Sequence, residues 1–211
     1  MGIRTEIADE RQTRGIRSAV IAGGGTGGHL FPGIALAEEL VRRNPACRIV
    51  FVSSGRPLEE RVLAETGFEV YRLAVEGLKG RGVMAKLKTA FRLPLSLLQA
   101  LRMLRRVRPD VVIGMGGYSA GPVVLAAWML RYDRVICEQN RLPGMTNRIL
   151  SRFARRIYVA FPGVFAGAPG ERQVVAGNPV RLRIRESLIS GGDQTAEKTT
   201  DATAGRFSEH P

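Results

Sequence analysis

Short apolar runs alternate with helical stretches along most of this chain, and that alternation constrains the fold more than any other feature. The runs are Ala19–Ala22, Arg48–Ser53, Glu69–Leu73, Asp110–Gly114, Arg134–Glu138, Arg156–Ala160 and Gln173–Ala176. Between them, Phe31–Arg43, Pro57–Thr66, Val83–Val107, Gly121–Leu130 and Gly144–Ala154 are patterned as helices. Strands separated by helices pair in parallel, because a helical crossover returns the chain to start the next strand in the same direction. The expected fold class is α/β, a Rossmann-like parallel sheet with helices on both faces. Right-handed crossovers then gather the loops that follow the strands along one sheet edge, where ligands bind.

Two of those loops are dense in glycine. Gly23-Gly24-Gly25-Thr26-Gly27-Gly28-His29 follows the first run, and Gly114-Met115-Gly116-Gly117-Tyr118-Ser119-Ala120-Gly121 follows the fourth. A strand that ends in glycines and feeds a helix brings bare backbone N–H groups to a ligand, and the helix N-terminus there favours negative charge. Two such loops on one sheet suit a long phosphate-bearing or sugar-bearing ligand. The bland alternative for each is a tight turn needing positive φ, but five glycines in six positions exceed that need.

The first loop also satisfies the dinucleotide pattern Gly23-x-Gly25-x-x-Gly28, a weak signal by itself. Where NAD-binding domains place an acid, this chain has Ser53-Ser54-Gly55-Arg56, which disfavours NAD and leaves NADP open through Arg56. No Gly-Lys-Ser/Thr follows, so a P-loop is excluded.

With 211 residues and a net charge of +13, the chain is long enough for one large domain and strongly basic. That balance suits nucleic acid, an anionic membrane surface or phosphorylated substrates. Cys47 and Cys137 are too few for a disulfide framework and fit no zinc spacing, so a reducing compartment is expected. No apolar stretch approaches the roughly 20 residues of a membrane span, and Met1–Arg17 lacks the apolar core of a signal peptide. Cytoplasm is the default. Residues 1–16 read as a flexible extension, 17–185 as the folded domain, and 186–211, rich in Ser, Thr, Gly and Ala, as a disordered tail.

His29 stands at a helix start, where the dipole disfavours imidazolium and leaves a neutral ring able to accept a proton. A lone histidine is more often structural, so both roles stay open. Glu138-Gln139-Asn140 closes a strand with three polar residues, which suits a hydrogen-bonding site better than packing, although Asn140 could serve as a helix cap alone. Gly177-Asn178-Pro179-Val180-Arg181 is either a plain turn or a loop presenting Arg181 to phosphate.

From Leu78 to Arg108 the chain carries Lys79, Arg81, Lys86, Lys88, Arg92, Arg102, Arg105, Arg106 and Arg108 without one acid. Leu78, Val83, Phe91 and several leucines are interleaved, and Pro94 is expected to break the helix. Such a run is either a solvated helix with one core face or an amphipathic segment lying on anionic lipid. Nucleic acid is disfavoured, since a single Phe offers little base stacking.

Four segments, in order, carry a resemblance: Gly24-Gly25-Thr26-Gly27-Gly28-His29-x-Phe31-Pro32-Gly33, Gly114-Met115-Gly116-Gly117-Tyr118-x-x-Gly121-Pro122, Glu138-Gln139-Asn140 and Gly177-Asn178-Pro179-Val180-Arg181. Together they resemble the MurG family of bacterial GT-B N-acetylglucosaminyltransferases, which make the lipid-linked disaccharide precursor of peptidoglycan. The resemblance implies two Rossmann-like halves facing a cleft, bound peripherally to the cytoplasmic face of the plasma membrane. It implies UDP-N-acetylglucosamine as donor and undecaprenyl-diphosphate-linked muramoyl pentapeptide as acceptor, with inversion in one displacement.

In that reading His29 and Glu138 are the candidate catalytic residues. Thr26, Gly27, Gly28, Asn140 and Arg181 fall at donor positions, and Gly116, Gly117 and Tyr118 complete the substrate-binding set. Leu78, Lys79, Lys86, Lys88, Phe91 and Arg92 fall in the membrane-docking patch. No cofactor and no metal is implied. Two departures stand out: Cys137 occupies the place where the family usually has histidine, and nothing after Arg185 resembles the family's C-terminal half. The expectation is a truncated or split enzyme, inactive alone and completed by a separate donor domain. Two other readings are a non-catalytic membrane-associated scaffold and an NADP-binding oxidoreductase module.

Overall fold

The computed structural model describes residues 15–75, 83–165 and 172–179, with 83–92 described as backbone only. Its strands are β1 (Ser18–Gly23), β2 (Arg48–Ser53), β3 (Glu69–Arg72), β4 (Val111–Gly116), β5 (Asp133–Glu138), β6 (Arg156–Val159) and β7 (Gln173–Val175). The helices are α1 (Gly27–Arg43), α2 (Pro57–Ala64), α3 (Val83–Val107), α4 (Gly117–Met129) and α5 (Met145–Leu150). All seven strands join one parallel sheet in the order β3-β2-β1-β4-β5-β6-β7. The order reverses between β1 and β4, the crevice where open α/β sheets bind ligands.

Alternation along each strand sorts its side chains between two cores. Val20, Ala22, Val50, Val52, Val112 and Ile136 face α3 and α4, packing with Ala100, Met103, Leu104, Val123 and Ala127. Ala19, Ile21, Ile49, Phe51, Ile113 and Met115 face the other way and meet Leu30, Ile34, Ala37 and Leu63 of α1 and α2. Both sheet faces are thus covered, which a parallel sheet requires.

Three expectations are corrected. Helix α3 runs unbroken through Pro94. Proline removes one backbone bond at a cost of roughly 3 kcal/mol, whereas fully burying Met103 and Leu104 gains about 1.5–3 kcal/mol each, so packing wins. Helices α1 and α4 begin four residues earlier than their apolar periodicity suggests, with Gly27 and Gly117 inside the first turns. Helix α5 ends at Leu150, short of the expected Ala154. The residues between close as turns, with Phe153 and Ala154 N–H both donating to Leu150 O at 2.9 Å. The proposed extension at 1–16 falls almost wholly, and the tail at 186–211 wholly, outside the described residues.

Candidate active site

The two glycine loops leave adjacent strands at the same sheet edge and touch. A register shift between Ala22 and Gly23 pairs Gly23 with Gly116, so the tips of β1 and β4 end level. A Cβ on Gly117 would overlap the carbonyl oxygen of Gly24, and Gly117 has φ +77°. No side chain can stand at that contact. The N-termini of α1 and α4 therefore open side by side, each with first-turn amides that no intrahelical bond can satisfy.

His29 sits between them. Thr26 caps α1 in an extended conformation, and its hydroxyl Oγ1 lies 3.0 Å from His29 Nδ1. The other ring edge presses on the second loop. A Cβ on Gly116 (φ +102°) would come within 2.8 Å of His29 Nε2 and 3.4 Å of Asn147 Nδ2. In the tautomer in which Nδ1–H donates to Thr26 Oγ1, Nε2 carries its lone pair on the side of the second loop. Burial lowers the His29 pKa below 6.5, opposed by the negative charge of Glu138. The ring is neutral at neutral pH.

Glu138 ends β5 almost fully buried, at 2% exposure. Its Oε1 accepts from Asn140 N and Nδ2, both at 3.0 Å, and its Oε2 accepts from Gly144 N at 3.1 Å and Asn147 Nδ2 at 3.0 Å. Asn147 Nδ2 also donates to Cys137 O at 3.0 Å. The carboxylate thus staples the β5–α5 loop from within, and Asn140 is held on its exposed side. Cys137 packs in the core with α1 and α2, and burial pushes its thiol up to about 12. It is a packing residue.

The first loop is clamped by Glu59, which motif reading missed, and by Arg56, which it weighed only for NADP. Glu59 of α2, also 2% exposed, accepts from Gly25 N–H, Ser53 Oγ (2.6 Å), Ser54 N (2.7 Å) and Ser54 Oγ (2.8 Å). Arg56 Nη1 donates to Gly25 O at 2.7 Å, and its guanidinium lies 5.9 Å from the Tyr118 ring centroid. Not every amide of the first loop is bare: the Gly25 N–H is already taken by an internal carboxylate. The Gly27–Gly28 and Gly117–Tyr118 amides, at the helix starts, have no intrahelical acceptor. Glu59 was invisible in sequence because it reads as one more surface acid on an amphipathic helix.

Among the described residues, Ser119 Oγ, Gln139 Oε1 and Asn147 Oδ1 are buried without a hydrogen-bond partner at this edge. Gly177 and Asn178 also lie here, just past β7, whereas Arg181 lies outside the described residues. Leu78 and Lys79 lie outside as well, and Lys86, Lys88, Phe91 and Arg92 are placed on α3 by its backbone alone. Among the described residues no group of three His, Cys, Asp or Glu could hold a metal, and no helix is long and apolar enough to cross a membrane.

Comparison with known proteins agrees with this architecture. The glycosyltransferase family 28 N-terminal domain model matches residues 19–159. The UDP-N-acetylglucosamine–N-acetylmuramyl-(pentapeptide) pyrophosphoryl-undecaprenol N-acetylglucosamine transferase of Syntrophus aciditrophicus is 47% identical over 182 residues, covering 86% of this chain and 49% of that protein. The enzyme of the same name from Myxococcus xanthus is 46% identical over 170 residues, covering 81% and 44%. The chain thus spans about half the length of these curated relatives. The crystal structure of Acinetobacter baumannii MurG superposes with a TM-score of 0.65 at 31% identity, over 78% of this chain and 46% of that one. A UDP-GlcNAc 2-epimerase from Neisseria meningitidis, at 15% identity and TM-score 0.59, covers 86% and 51% and shares the fold alone.

Proposed function

Because the chain belongs to glycosyltransferase family 28, whose N-terminal domain it carries, we propose that it forms the acceptor-side half of an inverting N-acetylglucosaminyltransferase. The donor is UDP-N-acetylglucosamine and the acceptor is undecaprenyl-diphosphate-linked muramoyl pentapeptide. The observation that carries the reading is the wedge of His29 Nε2 against Gly116, between two helix N-termini at the sheet's switch point.

Of the paired helix starts, the Gly117–Tyr118 amides hold the acceptor diphosphate and the Gly27–Gly28 amides face the donor, negative charge being favoured at both by the helix dipoles. The neutral His29 ring then takes the proton of the attacking 4-hydroxyl at Nε2 as that oxygen bonds the anomeric carbon and UDP leaves. Glu138 acts as a positioning residue: it holds Asn140 toward the donor and keeps a negative charge behind the imidazolium that forms. Leu93, Leu95 and Leu98, exposed on α3 beside its basic residues, dock the chain on the cytoplasmic face of an anionic membrane.

In this reading transfer also needs a donor-side half, of the kind the family resemblance implies. The test is radiolabelled sugar transfer to the lipid-linked acceptor, by the chain alone and with a separately supplied C-terminal half. Transfer only in the mixture, lost in His29→Ala, supports the reading. Robust turnover by the chain alone, or full activity of His29→Ala, overturns it.

A further inference from the structure

A third loop, between β2 and α2, carries one side chain that touches both glycine loops. It ends at Arg56, the N-cap of α2, with Pro57 in the first helical turn. Proline confines the residue before it to extended backbone, and Arg56 has φ −75° and ψ 144°. The Arg56 carbonyl also accepts from Glu60 N at 3.0 Å. The backbone that presents this side chain is therefore fixed by its own helix start.

From there the half-buried guanidinium reaches two places at once. Nη1 donates to Gly25 O at 2.7 Å, on the loop after β1. Cζ lies 5.9 Å from the ring centroid of Tyr118, in the first turn of α4. A Cβ on Gly25 would stand 3.5 Å from Arg56 Nη1 and 4.0 Å from Tyr118 Cδ2, so the three residues meet at one point. A planar cation with several N–H donors can bond a carbonyl while lying over a ring, which a lysine ammonium does poorly.

The Gly25 carbonyl shares a peptide plane with the Thr26 N–H. Thr26 caps α1, its carbonyl accepts from His29 N and Leu30 N at 3.3 Å each, and its Oγ1 lies 3.0 Å from His29 Nδ1. Turning that plane turns the cap, and the cap holds the His29 ring. Glu59 fixes only the other side of Gly25, at its N–H. The flanking Gly23, Gly24, Gly27 and Gly28 offer no side chain to hold the plane.

We propose that Arg56 is a positioning residue for His29: it locks the Gly25–Thr26 peptide and ties it to Tyr118, so that the two loop tips keep a fixed separation around the ring. Its part in transfer rests on the function proposed above, whereas the tie itself does not.

The tie is read by NMR on the chain alone. Arg56→Ala should shift the Thr26 amide and the His29 ring signals, and added methylguanidinium should return them toward the parent positions. Arg56→Lys keeps the charge without the planar fork, so it should resemble Arg56→Ala. Tyr118→Leu, with Arg56 intact, should move the same signals. Thermal melts show which variants fold; should Arg56→Ala unfold, the other two carry the test. Parent-like Thr26 and His29 signals in Arg56→Ala, or in both Arg56→Lys and Tyr118→Leu, overturn the proposal.

The second readout is sugar transfer in the mixture with the C-terminal half. Arg56→Ala should lower kcat by about tenfold or more, the worth of one charge-assisted hydrogen bond. Methylguanidinium should recover much of that loss, which it would not do for a chain that is merely less stable. Undiminished transfer by Arg56→Ala overturns the positioning role. If the parent mixture transfers no sugar, the proposed function falls, and the NMR shifts alone decide the tie.

Discussion

Gly117 and Gly24 meet backbone to backbone: the space where a Gly117 side chain would begin is filled by the Gly24 carbonyl. This contact joins the loops after β1 and β4 and sets the distance between the helix starts of α1 and α4. Gly117→Ala must both accept φ +77° and push the first loop away. The two effects together are expected to cost about 2–5 kcal/mol in urea unfolding. Gly121, inside α4, would bring a Cβ only to within 4.0 Å of Thr146 Cγ2. Gly121→Ala should therefore be neutral or stabilise by up to about 1 kcal/mol. Equal losses at the two positions would contradict the contact.

Glu138 is expected to behave as a buried staple. Glu138→Leu leaves the donors from Asn140, Gly144 and Asn147 without their acceptor, a loss of about 3–5 kcal/mol. Glu138→Gln keeps one acceptor oxygen and turns an amide NH2 toward donors, costing about 2–3 kcal/mol. Urea denaturation of both variants checks the order. A Glu138→Leu chain as stable as the parent would show that the loop does not rely on the carboxylate.

Strand and helix placement was legible in the sequence because both depend on periodicity, which burial on two sheet faces enforces: Val20 and Ile21 already announce opposite faces. The glycine loops were legible because backbone contact leaves no room for side chains, as at Gly116 and Gly117. What was not legible is the support behind the loops. Glu59 and Asn147 are buried by residues far away in sequence, and nothing local distinguishes them from surface polar residues on short helices. Pro94 misled for the converse reason, since local propensity was outweighed by packing that only the sheet provides.

The pH dependence follows from His29. Its folded pKa lies below the ordinary 6.5, so between those two values the unfolded chain binds more protons than the folded one. Stability then rises with pH through that window, is fully present above 6.5, and is lost as pH falls through the folded value. NMR titration of the His29 ring should give a midpoint under 6.5. Glu138→Gln should lower it further, since the Glu138 charge is what raises it. A midpoint at or above 6.5, or an upward shift in Glu138→Gln, would remove the basis for a neutral base.

The Glu59–Gly25 contact separates this domain from the dinucleotide binders whose fingerprint it formally carries. In such a site the glycine-loop amides meet a pyrophosphate. Here the Gly25 N–H already points to the Glu59 carboxylate, whose oxygens lie against Gly24, and the Arg56 guanidinium that the NADP reading assigns to a 2′-phosphate donates to Gly25 O. A pyrophosphate at that peptide would meet a buried negative charge without a partner to offset it. Fluorescence titration with NADPH should therefore show no saturable change in the native chain. Glu59→Leu should expose the Gly25 amide to rapid hydrogen exchange and cost about 3 kcal/mol of stability, through the unpartnered Gly25 and Ser54 N–H groups. Micromolar NADPH binding by the native chain, or unchanged exchange at Gly25 in Glu59→Leu, would mean that the first loop is not clamped in this way.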